Sequence, residues 1–302
     1  MSGFNQQFIL SIILIGLGYL LKVTGLLKET DGEAISRLIF NLTLPALIIT
    51  SFYQVKFDWS LLILVAAGIL MGFLFVLLGV ICFNSESRSI KGMLVMMLPG
   101  YNIGLFAYPL VEGIWGAEGI KYFGMFDVGN AFIVFGLSYL IGSYYADNHS
   151  QLTVKASFRK LSQSIPLMSY FIIFILSILQ IDIPGIAIDL AEIIAMANMP
   201  LSLLLLGLYL NFSVNRFHIR LMTKFIGLRY GVALIIAPLL YWLLPVDSMI
   251  KSTLLIGFLL PIPLSLIPYG VEFKYDKQFI GTSSNVTMLL SFALIWVIVN
   301  LI

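Results

Sequence analysis

Apolar residues along this chain fall into ten long runs that are separated by short polar connections. Each run has roughly 17 to 25 residues, the length that a helix needs to cross the hydrocarbon core of a bilayer. We therefore predict an all-α polytopic membrane protein with ten transmembrane helices. The predicted spans, in order, are Phe8–Leu26, Ala34–Phe52, Leu61–Phe83, Met93–Trp115, Tyr122–Tyr144, Ile165–Ile181, Ile186–Leu210, Phe225–Leu244, Met249–Phe273 and Phe279–Asn300.

Two of these spans, the fourth and the ninth, contain residues that interrupt a helix. Met93–Gly116 and Leu254–Phe273 are apolar, yet both carry prolines and glycines. Proline removes a backbone donor, glycine loosens a helix, and a backbone group freed within hydrocarbon is costly unless it finds a partner. Paired broken spans in two halves of a chain point to the central site of a secondary transporter. The predicted crossing-helix breaks are Pro99, Gly100, Gly104, Pro109, Pro261, Pro263 and Pro268.

The longest polar connection, 146–164, divides the ten spans into two sets of five. Because five is odd, the two halves enter the membrane from opposite sides, which is the inverted repeat of many transporter folds. We predict a first five-span repeat at 1–145, a connecting loop at 146–164 and a second, inverted five-span repeat at 165–302. The halves share asparagines in corresponding spans, and these pairs are Asn41 with Asn198 and Asn130 with Asn285.

Lysine and arginine are distributed unequally between the two sides of the predicted membrane, and this bias sets the orientation. Thirteen of the 17 lie in the connections on one side, three lie on the other side, and Arg229 is the remaining one. We therefore predict that both termini face outside and that the loop 146–164 is cytoplasmic. The expected location is the inner (cytoplasmic) membrane of the cell, as a multi-pass protein.

The composition narrows the chemistry that the chain can carry. It is 60% hydrophobic and 11% charged, with a mean hydropathy of +1.02, which is more apolar surface than a soluble core of this size can bury. The single cysteine excludes an internal disulfide, and both histidines fall in polar connections, so neither a metal site nor a cofactor is expected. The net charge of +2 does not indicate a nucleic-acid partner, because the basic residues lie in loops.

Segments in spans two, four, five, nine and ten resemble the auxin efflux carrier family, which includes plant auxin exporters and bacterial permeases for small carboxylates such as malate and malonate. In chain order they read NLTLPALIITSF, LPGYNIGLFAYPLV, FGMFDVGNAF, and IPLSLIPYGVEFKYD followed by SSNVTMLLSF. The resemblance covers essentially the whole chain, and the short central loop is similar to that of bacterial members. It implies a fold of two inverted five-span repeats with a scaffold domain and a transport domain, in which the broken helices four and nine cross near the midplane of the membrane. It also implies elevator-type alternating access for an organic anion, and a homodimer.

Asn102, at the break of the fourth span, is the first candidate for contact with a substrate. Its amide offers two donors and an acceptor, and the N-termini of broken helices add partial positive charge, so together they can hold a carboxylate. The alternative is that Asn102 only satisfies backbone groups freed by the break. The family usually reads L-P-N-T-G here, whereas this chain reads LPGYNIG, which shifts the asparagine and introduces Tyr101.

Asp127 and Asn130 are three residues apart and share a face of the fifth span. A charged aspartate at the centre of a spanning helix costs about 2.5 to 3.5 kcal/mol on insertion scales, which makes it a functional candidate. Two interpretations stay open: Asp127 binds a proton or cation during transport, or it bonds to a backbone group of the neighbouring broken helix. Arg229 is a candidate anion ligand, but its place about one turn inside the cytoplasmic end of span eight favours a side chain that snorkels to the interface.

The remaining candidates are asparagines close to prolines. Asn41 near Pro45 and Asn198 near Pro200 either mark kinks that open a cavity or cover carbonyl groups that the prolines free. The complete set of predicted substrate-binding residues is Asn102, Tyr101, Asp127, Asn130, Asn41, Asn198 and Asn285.

Together these features favour a permease that moves a small organic anion, a mono- or dicarboxylate, across the cytoplasmic membrane by alternating access. The alternative is a cation/proton antiporter of similar broken-helix fold. Such an antiporter requires two acidic residues close together at mid-membrane, and only Asp127 meets this requirement. An enzyme is not expected, since intramembrane enzymes need a buried Asp pair, a Ser/His dyad or a metal cluster. The expected partners are the anion, the lipid bilayer and a second copy of the chain, with coupling to H⁺ or Na⁺ left open.

Overall fold

The computed structural model describes residues 2–53, 59–146, 159, 162–211 and 216–301. All regular secondary structure within these ranges is helical. The α-helices whose bounds it gives are α1 Ser2–Val23, α2 Gly32–Leu38, α3 Leu44–Phe52, α4 Leu62–Cys82, α5 Arg88–Met97, α6 Tyr108–Ala131, α7 Tyr139–Tyr145, α8 Ile165–Leu179, α9 Gly185–Ala195, α10 Asn198–Leu208, α11 Arg216–Leu243, α12 Ser248–Gly257, α13 Leu266–Glu272 and α14 Lys277–Leu301. Turns of π-helix join several neighbours, at Ile39–Thr43, Ile103–Ala107 and Phe132–Ser138.

Seven helical segments in these ranges are long and apolar enough to cross a membrane. They are Asn5–Val23, Glu29–Phe52, Trp59–Cys82, Ile103–Tyr145, Gly185–Leu208, Ile219–Leu243 and Lys277–Leu301. The chain is therefore a polytopic helical membrane protein, as the sequence predicts. The ten-span inverted repeat stays a prediction, since α5 and α12 have 10 residues each and α8 has 15, too few to cross about 30 Å of hydrocarbon alone.

The longest apolar segment, Ile103–Tyr145, turns sharply at Gly116. Its φ of 61° and ψ of −143° lie outside the helical region, in a conformation that glycine adopts without steric cost. Gly116 is also exposed. The turn separates the second part of the predicted fourth span from the predicted fifth span.

The helices form two compact units, and each unit takes segments from both halves of the sequence. Unit 1 contains Met1–Leu61, Ile103–Met125 and Ser162–Leu210, and unit 2 contains Leu62–Asn102, Phe126–Leu161 and Asn211–Ile302. Most of the predicted connecting loop 146–164 lies outside the described residues.

In unit 1, α1 and α10 approach each other closely because glycines face the opposing backbone. A Cβ atom at Gly18 would lie 2.1 Å from the carbonyl oxygen of Leu204, and one at Gly207 would lie 2.0 Å from that of Ile15. Small residues at such a crossing are the usual means of packing helices within a membrane. The side chain at either position is therefore limited to hydrogen.

Unit 2 contains both α5 and α12, the two short helices that precede the predicted breaks. The hydroxyl of Ser87 accepts a hydrogen bond from the Ile90 amide at the start of α5. The carboxylate of Asp247 accepts one from the Met249 amide at the start of α12. These side-chain caps satisfy backbone donors and fix where each short helix begins.

Candidate functional site

The first break follows α5. The helix ends at Met97, and residues 98–102 are irregular. Pro99 contributes no N–H group and its ring obstructs the preceding helical turn. Tyr101 and Asn102 are 1% and 6% exposed. Because buried backbone groups must be paired, this segment requires hydrogen-bond partners from elsewhere in the protein.

The second break follows α12, which ends at Gly257. Residues 258–265 form turns and irregular backbone, and α13 begins at Leu266. Pro261 and Pro263 lie inside this segment and are buried. Both lack an N–H group, so they prevent a continuous helix and also reduce the number of donors that need a partner.

A backbone hydrogen bond joins the two breaks within unit 2. The amide of Asn102 donates to the carbonyl oxygen of Pro261 at 2.8 Å. Neither group has a partner within its own helix, because both helices have already ended. The two irregular segments therefore stabilise each other where they meet, and we call this meeting point the crossing.

Arg229, on α11, holds both breaks at the crossing through its guanidinium group. Nη1 donates to the carbonyl oxygen of Leu98. Nη2 donates to the carbonyl oxygens of Gly100, at 2.8 Å, and Leu260, at 2.9 Å. One side chain thus pairs with two carbonyl groups of the first break and one of the second.

The position of Arg229 shows that the snorkelling interpretation is wrong. The residue is 0% exposed, and its guanidinium group bonds to carbonyl oxygens of the two breaks. A side chain that snorkels keeps its charged head in water, and this one does not. Its hydrogen-bond acceptors among the described residues are carbonyl oxygens and include no carboxylate. The buried positive charge therefore has no ion-pair partner there.

An aromatic cluster surrounds the guanidinium group. Its central carbon lies 4.8 Å from the centroid of the Tyr101 ring and 5.7 Å from that of Phe75. The Tyr101 ring also packs against Phe126 and Phe258, with centroids 5.5 and 6.2 Å apart. The Tyr101 hydroxyl is buried and has no hydrogen-bond partner within the described ranges. The faces of these rings attract the cation, and the cluster excludes water from it.

Asn130 satisfies the backbone of the first break. Its Oδ1 accepts from the amide of Tyr101 at 2.9 Å, and its Nδ2 donates to the carbonyl oxygen of the same residue at 3.0 Å. The side chain replaces both hydrogen bonds that a helix would have supplied to Tyr101. Nδ2 also lies 3.2 Å from Oδ1 of Asp127, which accepts from it. Asp127, partly exposed, thus sits beside the amide that fixes the break.

Two hydroxyl groups support the second break, and the sequence pattern did not single them out. Oγ1 of Thr287, on α14, accepts from the amide of Ile262 at 3.3 Å and donates to the carbonyl oxygen of Ser284 at 3.0 Å. The hydroxyl of Tyr230 donates to the carbonyl oxygen of Thr287 at 2.8 Å. Tyr230 follows Arg229 on α11, so this helix supports both breaks.

The other asparagines predicted to bind substrate make different contacts. Asn285 donates through Nδ2 to the carbonyl oxygen of Asn211 at 3.1 Å in unit 2. Asn198 is buried in unit 1, where its Oδ1 accepts from the hydroxyl of Thr43 at 3.1 Å. Asn41, also in unit 1, is exposed. The crossing thus brings together Tyr101, Asn102 and Asn130, with Asp127 beside Asn130.

Three of the predicted break residues lie in helical turns rather than in irregular backbone. Gly104 belongs to the π-helical turn Ile103–Ala107. Pro109 is the second residue of α6, which follows that turn without interruption. Pro268 is the third residue of α13 and is exposed. The irregular backbone itself contains the other four, Pro99, Gly100, Pro261 and Pro263.

Glu112 is a carboxyl group within the apolar segment Ile103–Tyr145 that the sequence analysis did not single out. It lies three residues after Pro109, and its Oε2 atom is buried without a hydrogen-bond partner in the part of the chain that the structure describes. A signal was present in the sequence, because an acidic residue within an apolar span is a functional candidate by default.

Known membrane transporters resemble this chain over nearly its whole length. A sequence model of the family described as "Membrane transport protein" matches residues 7–299. An uncharacterized transporter of Methanothermobacter thermautotrophicus is 24% identical over 296 residues, which cover 96% of this chain and 95% of the relative. An uncharacterized transporter of Methanocaldococcus jannaschii is 23% identical over 308 residues, covering 96% of this chain and 97% of the relative. The family resemblance found in the sequence is confirmed.

Proposed function

Since this chain belongs to the membrane transport protein family, we propose that it is a secondary transporter that moves a small organic anion, a mono- or dicarboxylate, by alternating access. The observation that carries this proposal is the crossing, where two broken helices meet around a buried arginine. Irregular backbone at membrane depth is stable only where protein encloses it or where it lines a cavity, and transporters use such breaks to bind their cargo.

The sign of the charge at the crossing favours an anion over a cation. Arg229 carries a positive charge that no carboxylate neutralises through a hydrogen bond among the described residues. At an effective dielectric constant of about 20, two unit charges about 6 Å apart interact by roughly 3 kcal/mol. A carboxylate near the crossing gains this energy and a metal cation loses it. The charge therefore supports the anion transporter over the cation/proton antiporter.

We assign the specific contact with the anion to the side chain of Asn102. Its backbone amide already bonds to Pro261, so the backbone position is fixed independently of the side chain. The neighbouring amide of Asn130 is engaged with the backbone of Tyr101 and serves to hold the break open. A primary amide carries two N–H donors, which is the chemistry that a carboxylate requires.

We further propose that unit 2 is the part that carries the substrate. Both breaks, Arg229, Asn130 and Thr287 belong to this unit, and the hydrogen bonds among them cross no unit boundary. A site built within one unit keeps its geometry when that unit moves. The predicted inverted repeats and the orientation with both termini outside complete this proposal.

Binding to purified protein tests the proposal. Malate, malonate, succinate, lactate and an indole acid are added singly, and the unfolding midpoint is measured, because a ligand raises it by mass action. We expect at least one anion to stabilise the wild type and to bind Asn102→Ala about 10- to 100-fold more weakly, as loss of a hydrogen bond to a charged group implies. Asn84→Ala is the control, because Asn84 is exposed and only accepts from Lys91. Absence of any stabilisation would reject the substrate class, and unchanged affinity in Asn102→Ala would reject the site.

A further inference from the structure

We infer that the guanidinium group of Arg229 occupies the position of a coupling cation, so that this protein transports without sodium. The inference rests on the proposed transport function and concerns its energetics. In transporters with broken helices, unwound backbone carbonyls and the C-terminal ends of half-helices coordinate Na⁺. In this protein, carbonyl oxygens of that kind from both breaks bind a single arginine.

The positions of the three carbonyl groups support this interpretation. Leu98 and Gly100 follow the end of α5 at Met97, and Leu260 follows the end of α12 at Gly257. The end of a helix leaves carbonyl groups without intrahelical donors and carries a partial negative charge, which favours a cation. Two helix ends and the segments that follow them thus converge on one positive group.

The cation at this position is permanent. Arginine stays protonated under all physiological conditions, and its planar fork of N–H groups reaches several oxygens at fixed geometry. Nη2 alone bonds to one carbonyl group of each break. An ion that arrives and leaves would assemble and release the crossing in every cycle, whereas a side chain keeps it assembled. A second cation at the same oxygens would be repelled by the charge of the guanidinium group.

The surroundings of Arg229 fit a fixed internal cation better than an anion ligand that must be reached by solvent. The residue is 0% exposed, and the Tyr101 ring covers the guanidinium at 4.8 Å. The adjacent residue, Tyr230, ties the same helix to α14 through the carbonyl oxygen of Thr287. The positive charge of Arg229 therefore attracts an anion without direct contact, while the carbonyl groups hold the guanidinium group in place.

The wild-type protein supplies the first test. Its unfolding midpoint and its uptake of the carboxylate panel are measured in the chlorides of sodium, lithium, potassium and choline at equal ionic strength. We expect the same midpoint and the same uptake in all four salts. A midpoint or an uptake rate that is specifically raised by sodium would overturn the inference. The unfolding midpoint is measured without a carboxylate. If no carboxylate is taken up, the proposed function is rejected, and the midpoints in the four salts still test this inference.

Substitution of Arg229 supplies the second test. Arg229→Ala opens space beside the three carbonyl groups, and we expect 10 mM guanidinium or 100 mM sodium to raise its midpoint by at least about 2 °C relative to choline. Arg229→Met is the matched control, because it fills the space without charge and should respond to neither cation. A folded Arg229→Ala protein that is insensitive to both cations would contradict the inference. If this variant does not fold, the inference is tested by the comparison of the four salts on the wild-type protein.

Discussion

Replacement of Asn130 by alanine tests whether one amide side chain holds the first break in its irregular conformation. The substitution removes an acceptor 2.9 Å from the Tyr101 amide and a donor 3.0 Å from the Tyr101 carbonyl oxygen. Both backbone groups are buried, because Tyr101 is 1% exposed and lies within the aromatic cluster. Each orphaned group costs about 1 to 3 kcal/mol, so Asn130→Ala should lose about 2 to 6 kcal/mol of unfolding free energy.

The assay is unfolding of the purified protein in detergent by heat and by denaturant. A loss of about 2 kcal/mol lowers the midpoint by about 3 °C for a chain of 302 residues, given about 2.1 cal/mol/K of unfolding entropy per residue. Asn300→Ala is the control, since Asn300 is partly exposed near the end of α14 and pairs with no irregular backbone segment through its bond to the carbonyl oxygen of Trp296, so its loss should stay within about 0.5 kcal/mol. If Asn130→Ala is no less stable than Asn300→Ala, the amide does not support the break, and the derivation of the site from it fails.

Two further predictions concern the carboxyl group beside the break and the helix contact in unit 1. Asp127→Asn keeps the size of the side chain that accepts a hydrogen bond from Asn130 but removes its charge. We therefore expect the uptake rate of the variant to be independent of pH. If the uptake of the variant depends on pH as that of the wild type does, Asp127 is not a coupling residue. Gly207→Ala places a Cβ atom 2.0 Å from the carbonyl oxygen of Ile15 and should cost about 3 kcal/mol of stability, whereas Gly16→Ala, which meets nothing within 4 Å, should be neutral or stabilising. Equal melting of these two glycine variants would refute the close contact between α1 and α10.

The breaks could be located from the sequence because proline acts locally. Pro99, Pro261 and Pro263 each remove a backbone donor within an apolar run, which predicts a break, although Pro238 stays inside the helix α11. That the chain crosses a membrane several times was equally accessible, because runs of about 20 apolar residues have few other stable environments. Gly104 and Pro109 were also predicted to interrupt a helix, but both lie in helical turns.

The partners of the breaks could not be located in this way, because they depend on contacts between distant segments. Arg229 lies 131 positions from Leu98 and 31 from Leu260, and no local spacing relates them. The snorkelling interpretation failed because it rested on the position of Arg229 within span eight alone, whereas the carbonyl groups that bind the guanidinium belong to the two breaks.

Uptake of labelled carboxylates into proteoliposomes tests the central claim most directly. Malate, malonate, succinate, lactate and an indole acid are supplied with and without an imposed pH gradient or sodium gradient, to the wild type and to Asn102→Ala. We predict that at least one carboxylate enters vesicles containing the wild type, that a sodium gradient does not change its rate, and that Asn102→Ala does not transport it. If no carboxylate moves while sodium or protons exchange across the same vesicles, the protein is a cation/proton antiporter and the account of the crossing as an anion site is contradicted.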